Sequence, residues 1–224
     1  MQPYFLDRYD AGRRLAARLT KFADQQDVMI LALPRGGVPV AYEVARALNA
    51  PLDVFLVRKL GFPGHPELAM GAIATGGVRI LDHFLIQMYA VRSEDIDRIT
   101  ASEQRELERR ERTYRDDRPP PDVKDHTVIL IDDGLATGST MRAAVEALRQ
   151  EGARKIVVAV PVAPPDTCDA MKSEVDEIIC AVTPEPFRAV GIWYADFGET
   201  TDDEVRDLLA RAERDTPHRQ HQAG

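Results

Sequence analysis

Apolar residues fall along this chain in two alternating rhythms. Short runs of Val, Ile and Leu occupy 27–33, 52–57, 127–132, 155–162 and 177–182, and their continuity predicts strands buried on both faces. Longer stretches between them carry apolar residues every three or four positions. In 38–48, Val40, Ala41, Val44 and Leu48 share one helical face, and 141–152 reads as a helix closed by Gly152. Buried strands alternating with helices predict the α/β class, a doubly wound parallel sheet of about five strands. Ligands of such sheets sit at the carboxyl ends of the strands, where the strand order reverses.

Three pieces break the rhythm. A helix is expected near 7–22, with Leu15, Leu19 and Phe22 as its stripe. The segment 60–125 reads as an insert within a core spanning 1–183: a Gly/Pro-rich loop, short strands, then a charged helix over 93–115. That helix carries Glu94/Arg98, Glu106/Arg110, Glu108/Arg112 and Glu111/Arg115 at a spacing that supports helix in water. Its apolar stripe is thin (Ile96, Ile99, Leu107, Tyr114), and the prolines of 116–122 stop it. A C-terminal unit, 184–213, ends in a helix for which Thr201 and Glu204 form a capping box, and 214–224 reads as a disordered tail.

Composition narrows the function. With 29 Lys plus Arg against 37 Asp plus Glu, the net charge of −8 argues against general nucleic-acid binding, because phosphate backbones select basic surfaces. No apolar run is long enough for a membrane span, and the first residues lack the apolar region of a secretory signal. Cys168 and Cys180 are the only cysteines, too few for a disulfide framework, and a reduced, cytoplasmic setting is expected.

The informative stretch is "VILIDDGLATGST", 128–140. A buried strand delivers Asp132 and Asp133 to the sheet edge, and small residues then lead into a helix. Converging amides, a helix N-terminus and missing side chains make such a loop an anion site. Thr137, Ser139 and Thr140 add hydroxyls. Two carboxylates directly before it suit a diol or a divalent cation, so the string reads as a place for a ribose 5-phosphate. There is no GxxxxGK or GxGxxG.

The whole string resembles the phosphoribosyl pyrophosphate signature of type I phosphoribosyltransferases. Together with "PRGGVPVA", "VRKLGFPGHPELAMGAIA" and "PEPFRAVGIWYADF" it is similar to a bacterial subgroup of that family with no assigned acceptor. The resemblance implies that Asp132 and Asp133 hold the ribose hydroxyls and touch Mg²⁺ mostly indirectly, through substrate and water. It implies that Ala136, Thr137, Gly138, Ser139 and Thr140 cradle the 5-phosphate. Gly36 and Gly37, with Arg35 beside them, would form the pyrophosphate loop, and Arg58 and Lys59 would carry its basic contacts. Gly134 departs from the family, which more often has an aliphatic residue there, and this is expected to loosen the loop.

In the same resemblance "PGHPELAMGAIA" stands where a flexible loop covers the reacting centre, with His65 or Glu67 as acid/base candidates. Phe187, Trp193 and Tyr194 are candidates to stack on a base in a C-terminal hood, and Asp196 has an unsettled register. The implied activity is transfer of ribose 5-phosphate from phosphoribosyl pyrophosphate to a nitrogenous base. The alternative is a non-catalytic sensor of phosphoribosyl pyrophosphate or a nucleotide on the same fold. Small molecules are the expected partners, without nucleic acid or membrane, and a homodimer is a family-level expectation.

Overall fold

The computed structural model describes residues 2–115 and 118–215, with the backbone alone for Pro66 and Glu67. Most of the expected tail, 216–224, lies outside the described residues.

Five strands form a parallel sheet: β1 (Val28–Ala32), β2 (Leu52–Val54), β6 (Thr127–Ile131), β7 (Lys155–Val162) and β8 (Glu177–Val182), in the order β2-β1-β6-β7-β8. Ile129 and Ile131 face one core cluster with Leu15 and Val44, while Val128 and Leu130 face another with Leu148 and Val158. This is the period-two alternation of a sheet covered on both sides. α1 (Arg8–Ala16), α2 (Gly37–Leu48) and α7 (Asp202–Asp215) cover the first face, and α5 (Ser139–Gln150) and α6 (Pro165–Met171) serve the second. The chain leaves β1 toward β2 on one side, while β6 pairs on the other. The loops after β1 and β6 therefore meet at the switch point, where Leu33 donates its amide to Ile131 O at 2.8 Å.

The segment read as one strand over 52–57 is divided between two sheets. After β2, Phe55 still donates to Ala32 O, but Leu56 exchanges hydrogen bonds with Thr75, donating to its Oγ1 and accepting from its amide. The chain then enters an antiparallel sheet of β3 (Val57–Phe62), β4 (His65–Ala74) and β5 (Arg79–Leu81). The stretch expected to be a flexible cover is mostly strand β4, paired to β3 through register shifts at Leu60 to Phe62. A short α3 (His83–Met88) leads to α4 (Ser93–Arg115), which forms where the charge pattern places it.

α4 packs by its thin apolar stripe. Ile96, Leu107 and Tyr114 are buried in the main core cluster, and Arg115 is only 1% exposed, donating to Asp53 Oδ1 at 2.9 Å. Its Glu106–Arg110 and Glu111–Arg115 pairs form at 2.8 and 3.2 Å, while Arg98 turns to Asp95. The N-terminal helix is shorter than expected, ending at Ala16 before a 3₁₀ turn at Thr20–Phe22. Contrary to the expectation of reduced thiols, Cys168 on α6 and Cys180 on β8 are joined in a disulfide. Thr201 Oγ1 accepts from the Glu204 amide at 3.1 Å, which is one half of the capping box, while Glu204 Oε1 accepts from the Tyr9 hydroxyl at 2.8 Å.

The hood has no strand of its own. It is a 3₁₀ turn at Gly191–Trp193 held by the N-terminal segment, with Phe5 N–H donating to Trp193 O and Ala195 N–H to Phe5 O. Phe5, Ala11, Val162, Trp193 and Tyr194 form its small core. Among the described residues no helix is long and apolar enough to cross a membrane.

Candidate functional site

The run of branched apolar residues in β6 ends at Ile131 because the next two side chains are carboxylates at the sheet's rim. Asp132 and Asp133 are half-buried there. Asp132 Oδ1 accepts the Asp133 amide at 2.8 Å. Burial pushes the Asp132 carboxyl well above the ordinary carboxylate range, and the neighbouring Asp133 charge adds to the shift. Asp133 is also raised by burial, against the opposing pull of the Arg8 guanidinium, whose Nε donates to Asp133 Oδ2 at 2.9 Å. Tyr194 donates its hydroxyl to the Asp133 carbonyl, seating the hood on the rim.

The next five residues form the loop into α5. Gly134 and Leu135 are buried, and Ala136, Thr137 and Ser139 are exposed. Gly138 is the N-cap with φ +74°, a left-handed conformation suited to glycine, and no side chain caps the helix. Among the described residues the amides of Ala136, Thr137 and Gly138 have no hydrogen-bond partner. Their carbonyls are held from behind: Thr167 Oγ1 donates to Ala136 O at 2.8 Å and Arg142 Nη1 to Thr137 O at 2.7 Å. Arg142 is itself paired with Glu174 at 2.8 Å. The loop thus offers unpaired donors at a helix N-terminus, from a fixed frame. Thr140 is half-buried in the first turn of α5.

The loop after β1 lies against this rim. A Cβ on Gly36 would stand 2.0 Å from Asp133 Oδ2, and one on Gly37 would stand 2.8 Å from Ile131 O. The absence of bulk at both positions lets the two loops touch. Arg35 is part-exposed and pairs across to the hood side, with Glu199 and with Asp202 at 3.5 Å.

The two basic residues of β3 separate. Lys59 Nζ donates to Ser139 Oγ at 2.7 Å and so belongs to the site. Arg58 points to the other face and pairs with Glu103 of α4 at 2.6 Å. Adjacent strand residues face opposite sides, which corrects the expectation that both line the ligand.

The aromatic candidates also divide. Trp193 is 3% exposed, packed with Tyr4 at 5.5 Å and Phe187 at 6.2 Å between ring centres. It is hood core, and its faces are not open to a base. Tyr194 is buried as well, while Phe187 is half-buried at the edge of the same cluster. Gly134 does not loosen the loop. A Cβ there would meet Val190 Cγ1 at 2.5 Å, so the small residue lets the hood close on the rim. Asp196 Oδ1 accepts from the Gly198 amide at 2.9 Å within the hood.

Arg8 and Arg142 reach the rim from segments that carry no motif, and Tyr194, expected to stack on a base, reaches it instead through its hydroxyl. Arg8 is 125 residues from its carboxylate partner, and only the fold brings them together.

Residues 5–189 match the family model described as the phosphoribosyl transferase domain. The crystal structure of TT1426 from Thermus thermophilus has 43% sequence identity to this chain and a TM-score of 0.82, covering 92% of this chain and 98% of that one. A Mycobacterium tuberculosis protein named "Putative phosphoribosyl transferase" is 45% identical over 94% of this chain and 47% of its own length. This chain therefore spans about half the length of that curated relative. A uracil phosphoribosyltransferase from Lactobacillus gasseri is 35% identical over 86 residues, 37% of this chain and 41% of the relative.

Proposed function

Because the chain belongs to the phosphoribosyl transferase domain family, we propose that it binds phosphoribosyl pyrophosphate with Mg²⁺. It then transfers ribose 5-phosphate to a nitrogen of a nucleobase-like acceptor. In that reaction the acceptor nitrogen forms a bond to ribose C1 and gives up its proton to solvent, and the C1–oxygen bond breaks with its electron pair leaving on pyrophosphate. The observation that carries this reading is one juxtaposition. Three unpaired amides lead into α5 two residues beyond a pair of half-buried carboxylates, at the point where the sheet's strand order reverses.

The amides of 136–138, with the hydroxyls of Thr137, Ser139 and Thr140, suit the 5-phosphate. Asp132 and Asp133 suit the ribose hydroxyls and favour the positive charge that develops on the sugar. Gly36 and Gly37 expose backbone beside them for the pyrophosphate, with Lys59 and Arg35 as cations able to turn toward it. Among the described residues no group of three or more acidic, His or Cys side chains could cage a metal. Two rim carboxylates fit Mg²⁺, which keeps waters and is held largely by substrate phosphates. Bound with the substrate, Mg²⁺ would neutralise charge on the departing pyrophosphate.

The test is release of pyrophosphate when the protein is mixed with phosphoribosyl pyrophosphate, Mg²⁺ and a panel of purines, pyrimidines and related bases. Release with at least one acceptor is expected. Tight binding without release across the panel would replace this reading with that of a sensor.

A further inference from the structure

Arg8 begins α1, directly after the N-cap Asp7, and its side chain is 12% exposed. Its guanidinium makes three contacts at once. Nε donates to Asp133 Oδ2 at 2.9 Å, Nη1 donates to Gly198 O at 2.6 Å, and Cζ lies 3.9 Å from the centre of the Phe197 ring. The N-terminal segment that carries Arg8 is itself bonded to the hood, through Tyr4, Phe5 and Leu6 against Trp193 to Asp196. One planar cation therefore joins the amino terminus, the hood and the rim.

The carboxylate it grips is also crowded by the loop after β1. A Cβ on Gly36 would stand 2.0 Å from Oδ2 and 3.2 Å from Arg8 Nε, so the ion pair and that loop pack closely together. Asp132 has one oxygen committed in a similar way, to the Asp133 amide. An unrestrained carboxylate rotates about its terminal torsion over a broad well, and a charge-assisted hydrogen bond to a stacked, half-buried guanidinium narrows it.

Resting on the ribose-phosphate reading, we propose that Arg8 is a positioning residue: it fixes Asp133 so that its second oxygen is presented to the ribose diol. It does not itself hold the phosphate, which lies with the amides of the α5 loop.

The full chain is titrated with ribose 5-phosphate, 2-deoxyribose 5-phosphate and inorganic phosphate, comparing parent, Arg8→Met and Arg8→Lys. Losing a hydrogen bond to a charged group costs about tenfold or more in affinity. The parent should prefer ribose 5-phosphate to its 2-deoxy analogue. Arg8→Met should lose about tenfold of that preference, with inorganic phosphate binding unchanged, and Arg8→Lys should regain part of it. A parallel loss for all three ligands, or no loss, would overturn the proposal. Preference retained in Arg8→Met together with binding in the parent would leave the ribose reading intact and remove Arg8. No preference in the parent would sink the ribose reading, and the role of Arg8 with it. If Arg8→Met does not fold, the Nε–H resonance of Arg8 in the parent gives the answer. It should move with ribose 5-phosphate and not with inorganic phosphate, and an unmoved signal overturns the proposal.

Discussion

Lys59 Nζ donates to Ser139 Oγ at 2.7 Å, so the inserted β-sheet is fastened to the first turn of α5, just after the loop of small residues. Its neighbour Arg58 faces away, onto Glu103. The two residues are alike in sequence and opposite in placement. Lys59→Met is expected to lower phosphoribosyl pyrophosphate affinity or turnover at least tenfold while the thermal midpoint changes little. Arg58→Met should do the reverse, loosening α4 from β3 and leaving ligand affinity near the parent's. Ligand titration and thermal melts of the two variants separate these outcomes.

Asp133→Asn removes one negative charge at the rim and leaves the volume unchanged. A fixed electrostatic group of this kind contributes roughly 2–4 kcal/mol to the transition state. Turnover should fall by about two to three orders of magnitude, with folding stability little altered. Steady-state kinetics beside a denaturant melt is the check, and equal turnover in mutant and parent would count against the assignment.

A Cβ on Gly134 would meet Val190 Cγ1 at 2.5 Å and Val162 Cγ1 at 3.0 Å. Gly134→Val puts a branched side chain into this contact and is expected to destabilise the chain, by about 1–3 kcal/mol for overpacking. Denaturant unfolding measures it. A neutral result would mean that the hood can shift without cost.

Trp193 is core of the hood, so Trp193→Ala should cost about 3–5 kcal/mol of stability. Phe187→Ala, at the edge of that cluster, should change the acceptor KM more than the melting midpoint. Acceptor kinetics and melts on both variants distinguish packing from recognition.

Glu151 gives a pH signature far from the rim. Burial raises its carboxyl to about 7, Glu111 adds to the shift and Arg115 opposes it. Its Oε1 is buried with no hydrogen-bond partner among the described residues. Between the ordinary value of 4.5 and about 7 the folded chain holds a proton that the unfolded chain has released. Stability therefore falls as pH rises through that window and levels above it. Glu151→Gln should match the parent near pH 4 and exceed it near pH 8 by on the order of 1 kcal/mol. Urea melts across that range test the sign.

The sequence by itself determined the parallel sheet, its flanking helices and the loop of small residues before α5. Each of these is written in local periodicity and short-range chemistry: branched apolar runs, the 3.6-residue repeat, and small residues before a helix. It also placed Asp132, Asp133 and the Gly36–Gly37 loop, because both loops follow directly from neighbouring strands. Tertiary structure decided the rest. Whether Trp193 stacks on a ligand or fills the hood depends on Tyr4 and Phe187, which no spacing rule connects to it. The division of 52–62 between two sheets depends on Thr75 taking both hydrogen bonds of Leu56. The counter-charge on Asp133 comes from Arg8, 125 residues earlier. Periodicity records which face a residue shows, and only the closed chain records what that face meets.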